Sequence, residues 1–98
     1  MERDHAYFVY IMASKRNGTL YVGVTNNVYR RALEHKTGKA GSFTKRYGIT
    51  RLVYFEEFQN IQQAIAREKQ LKKGTRKTKL ALIETSNPQW ADLFEAMT

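Results

Sequence analysis

Three short runs of apolar and β-branched residues stand out along the chain: Tyr7–Met12, Leu20–Thr25 and Arg51–Phe58. Each is rich in Val, Ile, Tyr or Phe and is bounded by polar or glycine-containing segments, which is the pattern of β-strands. Between the first two lies Ala13–Thr19, whose Asn17–Gly18 pair is a hairpin signal because both residue types tolerate a positive φ. Beyond the second run the period lengthens to that of a helix. Thr25, Asn26 and Asn27 offer N-cap side chains for a helix over residues 28–36, and Thr37–Gly38 ends it. Residues 37–50 mix glycines with basic side chains and read as an ordered basic loop. After the third run, Asn60 followed by Gln63 resembles a capping box, opening a helix to about Lys73 that Gly74 stops. A further helical stretch covers about residues 76–85, Asn87–Pro88 breaks it, and residues 90–97 suit a last short helix. The pattern predicts an α+β fold.

Length and composition narrow the class. The 98 residues amount to one domain, with 42% hydrophobic and 12% aromatic residues, enough for a packed core. No Cys is present, which excludes disulfides, cysteine-ligated zinc, iron–sulfur clusters and cysteine nucleophiles together. No stretch is apolar enough to span a bilayer, and Met1–His5 carries no export signal, so the expected location is cytoplasmic, with no membrane partner.

Charge adds a partner. The formal net charge is +8, and its placement matters more than its sum. Nine basic residues lie between Lys15 and Arg51 against one acid, Glu34, and seven more lie between Arg67 and Lys79 against Glu68 alone. Such segregation points to a polyanion, and nucleic acid is the commonest one. Lys36, Lys39, Lys45 and Arg46 in the first block, and Lys69, Lys72 and Lys73 in the second, would contact phosphates and so give affinity without base readout. Phe43 and Tyr47 either stack on a base or pack beneath the loop.

Two helices carry polar residues where the pattern calls for apolar ones. Ile61, Ala64, Ile65 and Leu71 define an apolar stripe, and Glu68 falls on it, seven residues after Ile61 and four after Ala64. A carboxylate there must be paired, protonated or bound to a cation, or bend out to water. In the first helix Arg31 and His35 are one turn apart and share a face with Val28 and Ala32. The hairpin adds Tyr10 and Tyr21, one per strand, and Gly23, whose place inside a strand marks a bulge or a close approach by another group. Tyrosine, histidine, arginine and glutamate in a basic surround suit phosphoryl transfer: an activated water, a held phosphate, a divalent cation.

These residues resemble a family. Phe8, Val9 and Tyr10, followed eleven residues later by Tyr21, Val22 and Gly23, are similar to the two-part signature of GIY-YIG nucleases. Arg31, His35 and Glu68 follow in the family's order and spacing, and the resemblance covers about residues 6–83. The segment Asn87–Leu93 is similar to the tail of a small stand-alone bacterial branch, making residues 84–98 a C-terminal extension. The resemblance implies a three-stranded antiparallel sheet flanked by helices, and phosphodiester hydrolysis with water and Mg²⁺ or Mn²⁺. On this reading Glu68 binds the cation and Arg31 stabilises the phosphate. Tyr10 or Tyr21 is general base or orients the water, with His35 assisting; Tyr10 is favoured, provided a cation lowers its pKa. Phe8 stands where the motif's name has Gly. Many members carry Asn about a dozen residues after the glutamate, where this chain has Leu80; Asn87 reads instead as a turn residue. The expected function is a DNA endonuclease of little sequence specificity, in repair or recombination, with DNA favoured over RNA. The alternatives are a nucleic-acid-binding module without turnover, or a subunit or partner-binding protein of a larger assembly.

Overall fold

A computed structural model describes residues 6–97; the five N-terminal residues on which the missing export signal was read lie outside it. The elements run β1 (Tyr7–Ala13), β2 (Leu20–Thr25), α1 (Val28–Lys36), α2 (Ser42–Arg46), β3 (Arg51–Phe58), α3 (Ile61–Lys73), α4 (Arg76–Ser86) and a 3-10 turn (Leu93–Met97). The strands form one antiparallel sheet in the order β2-β1-β3. The expected α+β class and three-stranded antiparallel sheet are what the chain adopts.

Local chemistry sets the boundaries. Asn17 takes the left-handed conformation (φ 58°) in the hairpin, and the loop closes through Ser14 N–H to the Thr19 carbonyl at 3.0 Å. Asn27 caps α1 by accepting from Arg30 N–H at 3.0 Å, and Asn60 caps α3 by accepting from the Gln62 and Gln63 amides. The expected loop over 37–50 differs: it contains the five-residue helix α2. Only Thr44 and Ile49 of the stretch Ser42–Ile49 are buried, so no apolar periodicity announces that helix.

Period-two alternation on β1 sends its side chains to both faces of the sheet. Val9, Ile11 and Ala13 join Val22, Val53, Ala64 and Leu71 of α3, Ile83 of α4 and Trp90. Tyr10 and Met12 point the other way and join Val28 and Ala32 of α1, Ile49, Leu52 and Phe94. β1 is therefore covered on both sides, as a central strand of a two-layered cover must be. In α3, Ala64 and Leu71 are buried as the stripe predicts, but Ile61 in its first turn is 39% exposed.

The C-terminal stretch packs against the rest. Trp90 is fully buried with φ 55°, and Asn87 donates to the Val53 and Ala91 carbonyls while accepting from Ala91 N–H. Asp92 accepts from the amides of Leu52 and Phe94 and pairs with Lys36, tying β3 to the end of α1. Asn87 thus serves the turn, as its place before Pro88 suggests. No helix among the described residues is long and apolar enough to cross a membrane.

Candidate active site

The site is built around Tyr10 in the middle of the central strand. Its Cα lies opposite Gly23 on β2 and Phe55 on β3. A Cβ added at Gly23 would stand 2.5 Å from the Tyr10 hydroxyl oxygen and 2.6 Å from Cζ, closer than real Cβ contacts come. Gly23 is what lets the phenol lie across β2, and this is the close approach that a glycine inside a strand signals.

Val28, Ala32 and His35 are the buried residues of α1, at spacings of four and three, so the face that packs on the sheet ends in an imidazole. His35 is 2% exposed, and its Nε2 lies 3.2 Å from the Tyr10 hydroxyl. Tyr21 completes a triangle of rings, with centroids 6.3 Å from Tyr10 and 5.3 Å from His35. The Tyr10–His35 hydrogen bond, spanning 25 residues of sequence, is the feature the linear pattern did not reveal.

Burial decides the protonation of both partners. Loss of water, reinforced by the Arg31 charge, brings His35 down to about 4, so the imidazole is neutral at pH 7. Burial, and then Tyr21, pushes Tyr10 above the usual phenol range; Arg31 pulls it down, while Glu34 and Glu68 add to the rise. A neighbouring cation does act on the phenol, but desolvation outweighs it. From the chain's own residues alone the phenol is raised rather than lowered. The phenol is thus bonded to a neutral imidazole.

Arg31 stands one turn before His35 on α1. Its Nη1 pairs with Glu34 at 3.3 Å, whereas its buried Nε has no partner. The buried Nδ1 of His35 is likewise unpaired. Buried donors without acceptors cost about 1–3 kcal/mol each, and a phosphate oxygen is a suitable acceptor for a guanidinium.

Glu68 belongs to α3, which lies over β1 and β2. Its side chain is 16% exposed and meets Lys72 at 3.3 Å, so the carboxylate on the apolar stripe is paired rather than bare. Its charge is felt at Tyr10. The described residues hold no group of three or more His, Cys, Asp or Glu able to cage an ion. Glu68 offers one carboxylate, so an ion held here would take the rest of its ligands from outside the described side chains.

The basic residues divide. Lys39, Lys45, Arg46, Lys69 and Lys73 are exposed, and Lys72 is half-exposed beside Glu68. Lys36 is committed elsewhere: it donates to the Thr50 carbonyl at 3.0 Å, pairs with Asp92 and lies 5.0 Å from the Phe94 ring centroid. Phe43 and Tyr47 do not pack beneath the loop; both are about half exposed. Leu80 packs against the apolar core and offers no polar group.

Residues 6–81 match the GIY-YIG catalytic domain, a nuclease domain whose members typically use divalent metal ions. The chain belongs to the GIY-YIG family. Within it, a UPF0213 protein of Clostridium perfringens is 41% identical over 80 residues, covering 82% of this chain and 85% of that relative. Another from Oceanobacillus iheyensis is 37% identical over 81 residues, covering 83% and 93%. The solution NMR structure of a UPF0213 protein from Bacillus halodurans superposes with a TM-score of 0.56 at 28% identity, covering 95% of this chain and 98% of that one.

Proposed function

We propose that the protein is an endonuclease that hydrolyses phosphodiester bonds of DNA with little sequence preference, in repair or recombination. The observation that carries this reading is the buried Tyr10–His35 hydrogen bond, whose phenol feels the charges of both Arg31 and Glu68. A water attacks phosphorus, and the bond to the leaving oxygen breaks; that oxygen keeps the bonding electron pair and takes a proton from solvent. The water's proton passes to the Tyr10 oxygen as the phenol's own proton moves to Nε2 of the neutral His35. Arg31, with an unsatisfied Nε, takes charge developing on the phosphate. Tyr21 walls the pair. Glu68 is the ligand for Mg²⁺ or Mn²⁺, which when bound would polarise the phosphate and make a bound water more acidic. The exposed Lys39, Lys45, Arg46, Lys69 and Lys73 contact backbone phosphates, which attracts nucleic acid without reading bases. Lys36 is left out because Thr50 and Asp92 hold it.

A second reading, binding without turnover, is favoured by one observation: Glu68 is already paired with Lys72. Cleavage of labelled duplex, nicked, flapped and single-stranded DNA in Mg²⁺ or Mn²⁺ separates the two. Glu68→Ala and Arg31→Ala are each expected to lower the rate by about a hundredfold or more, with DNA binding retained. Binding by wild type with no cutting in either metal would rule out turnover and leave the second reading.

A further inference from the structure

Helix α2 is packed inside out. Its buried residue is Thr44, at 2% exposure, whose hydroxyl donates to the Gly41 carbonyl at 3.2 Å. Phe43 and Tyr47, which a helix of ordinary amphipathicity would bury, are 50% and 48% exposed. They sit one turn apart with ring centroids 4.9 Å apart, inclined at 49°. The Arg46 guanidinium lies 5.7 Å from the Tyr47 ring centroid.

The segment is held, so the rings are displayed rather than merely loose. Ile49 is fully buried in the core that contains Tyr10 and Met12, and its N–H donates to the Thr44 carbonyl at 2.9 Å. Gly48 makes the turn into it with φ 62°. The segment thus leaves α1 just after His35 and returns to the core beside Tyr10.

The surround is cationic throughout. Lys39, Lys45 and Arg46 are exposed, and no acidic residue occurs anywhere in residues 36–55. Two exposed aromatic rings interleaved with three exposed cations match a strand that offers a flat base and charged phosphates in alternation. Duplex bases are stacked and paired inside the helix, so only an unpaired base can reach such a surface.

We infer that Phe43 and Tyr47 form a stacking platform for an unpaired nucleobase, with Lys39, Lys45 and Arg46 holding the flanking phosphates. The platform deepens the nuclease reading and rests on it for the identity of the polymer. It directs the protein to substrates with an unpaired nucleotide near the scissile bond, and it does so without regard to sequence because every base has a π face.

The test uses the full chain in EDTA and two fluorescein-labelled strands of equal length and charge, oligothymidylate and an all-abasic strand, read by fluorescence anisotropy. Wild type is expected to bind oligothymidylate about tenfold or more tighter than the abasic strand. The double variant Phe43→Ala/Tyr47→Ala, changed only at half-exposed positions, should lose that preference and keep its abasic affinity. The pair Lys45→Gln/Arg46→Gln should weaken both strands together and flatten their salt dependence. Equal affinity of wild type for the two strands, a preference that survives the double variant, or no binding of either strand would overturn the platform. Self-association of wild type that the double variant abolishes, without a base preference, would assign the rings to a second copy of the chain. Cleavage is scored separately with Glu68→Ala. A base preference without cutting sinks the nuclease and leaves the platform, and cutting without a base preference does the reverse.

Discussion

The two faces of the sheet are filled by opposite rules. On the α3–α4 side, Val9, Ile11, Ala13, Val22 and Val53 meet Ala64, Leu71, Ile83 and Trp90, and the buried polar residue beside them, Asn87, is hydrogen-bonded to the Val53 and Ala91 backbone. Polar groups at its margin are paired: Arg67 reaches Glu56 through Nε and Nη2 at 2.9 Å each, Tyr54 bonds to Glu56, and the Trp90 indole donates to Glu84 at 3.2 Å. On the α1 side a phenol and an imidazole share the core with Met12, Ala32 and Leu52. Among the described residues, the buried side-chain atoms without a partner are Arg31 Nε and His35 Nδ1, both on α1. One face maximises burial. The other gives up stability, since each unpaired buried polar group costs about 1–3 kcal/mol, and leaves on α1 polar atoms that an incoming acceptor such as a phosphate oxygen can satisfy.

That contrast can be broken from the apolar side first. Ile11→Ala removes a fully buried side chain from the apolar face and is expected to cost about 2–5 kcal/mol of folding stability, measured by urea denaturation. Turnover per folded molecule should be unchanged so long as α3 still holds Glu68 in place. A smaller loss, about 1–3 kcal/mol, is expected for Gly23→Ala, because the new Cβ collides with the Tyr10 ring. Here cleavage should fall by far more than stability does. An active Gly23→Ala protein would show that the position of the phenol is immaterial.

The effect of pH is the most diagnostic. His35 takes up its proton near pH 4 in the folded protein but near 6.5 when unfolded. Between these values the unfolded state binds more protons, so this group's contribution is present above about pH 6.5 and is lost as pH falls toward 4, at no more than about 1.4 kcal/mol per pH unit. In His35→Phe, denaturation measured across that range should show a shallower decline. An unchanged slope would mean that the acid sensitivity arises elsewhere.

Much of the frame was legible from short-range chemistry. The strands are runs of β-branched and aromatic residues, and the caps Asn27 and Asn60 stand directly before helical periodicity. Glu68 drew notice because it interrupts an apolar stripe, and Gly23 because a glycine weakens a strand. Helix α2 was not legible, since a five-residue helix that buries Thr44 and exposes Phe43, with Tyr47 exposed at its C-cap, has no apolar face to detect. Lys36 reads as one more solvent cation until Asp92, 56 residues away, folds back to claim it.

By itself the sequence determined the three strands, the longer helices and their order, and the residue types available for phosphoryl chemistry, because alternation, helical period and capping are properties of neighbours along the chain. It also determined the family, since the tyrosine motifs, Arg31, His35 and Glu68 recur at set spacings. Only the tertiary structure decided which groups meet and in what state. The Tyr10–His35 bond needs the Tyr10–Gly23 register and the packing of α1 on the same face. The neutral imidazole follows from burial, which no local pattern encodes. A side chain's partner and its water are set by what the rest of the chain places around it.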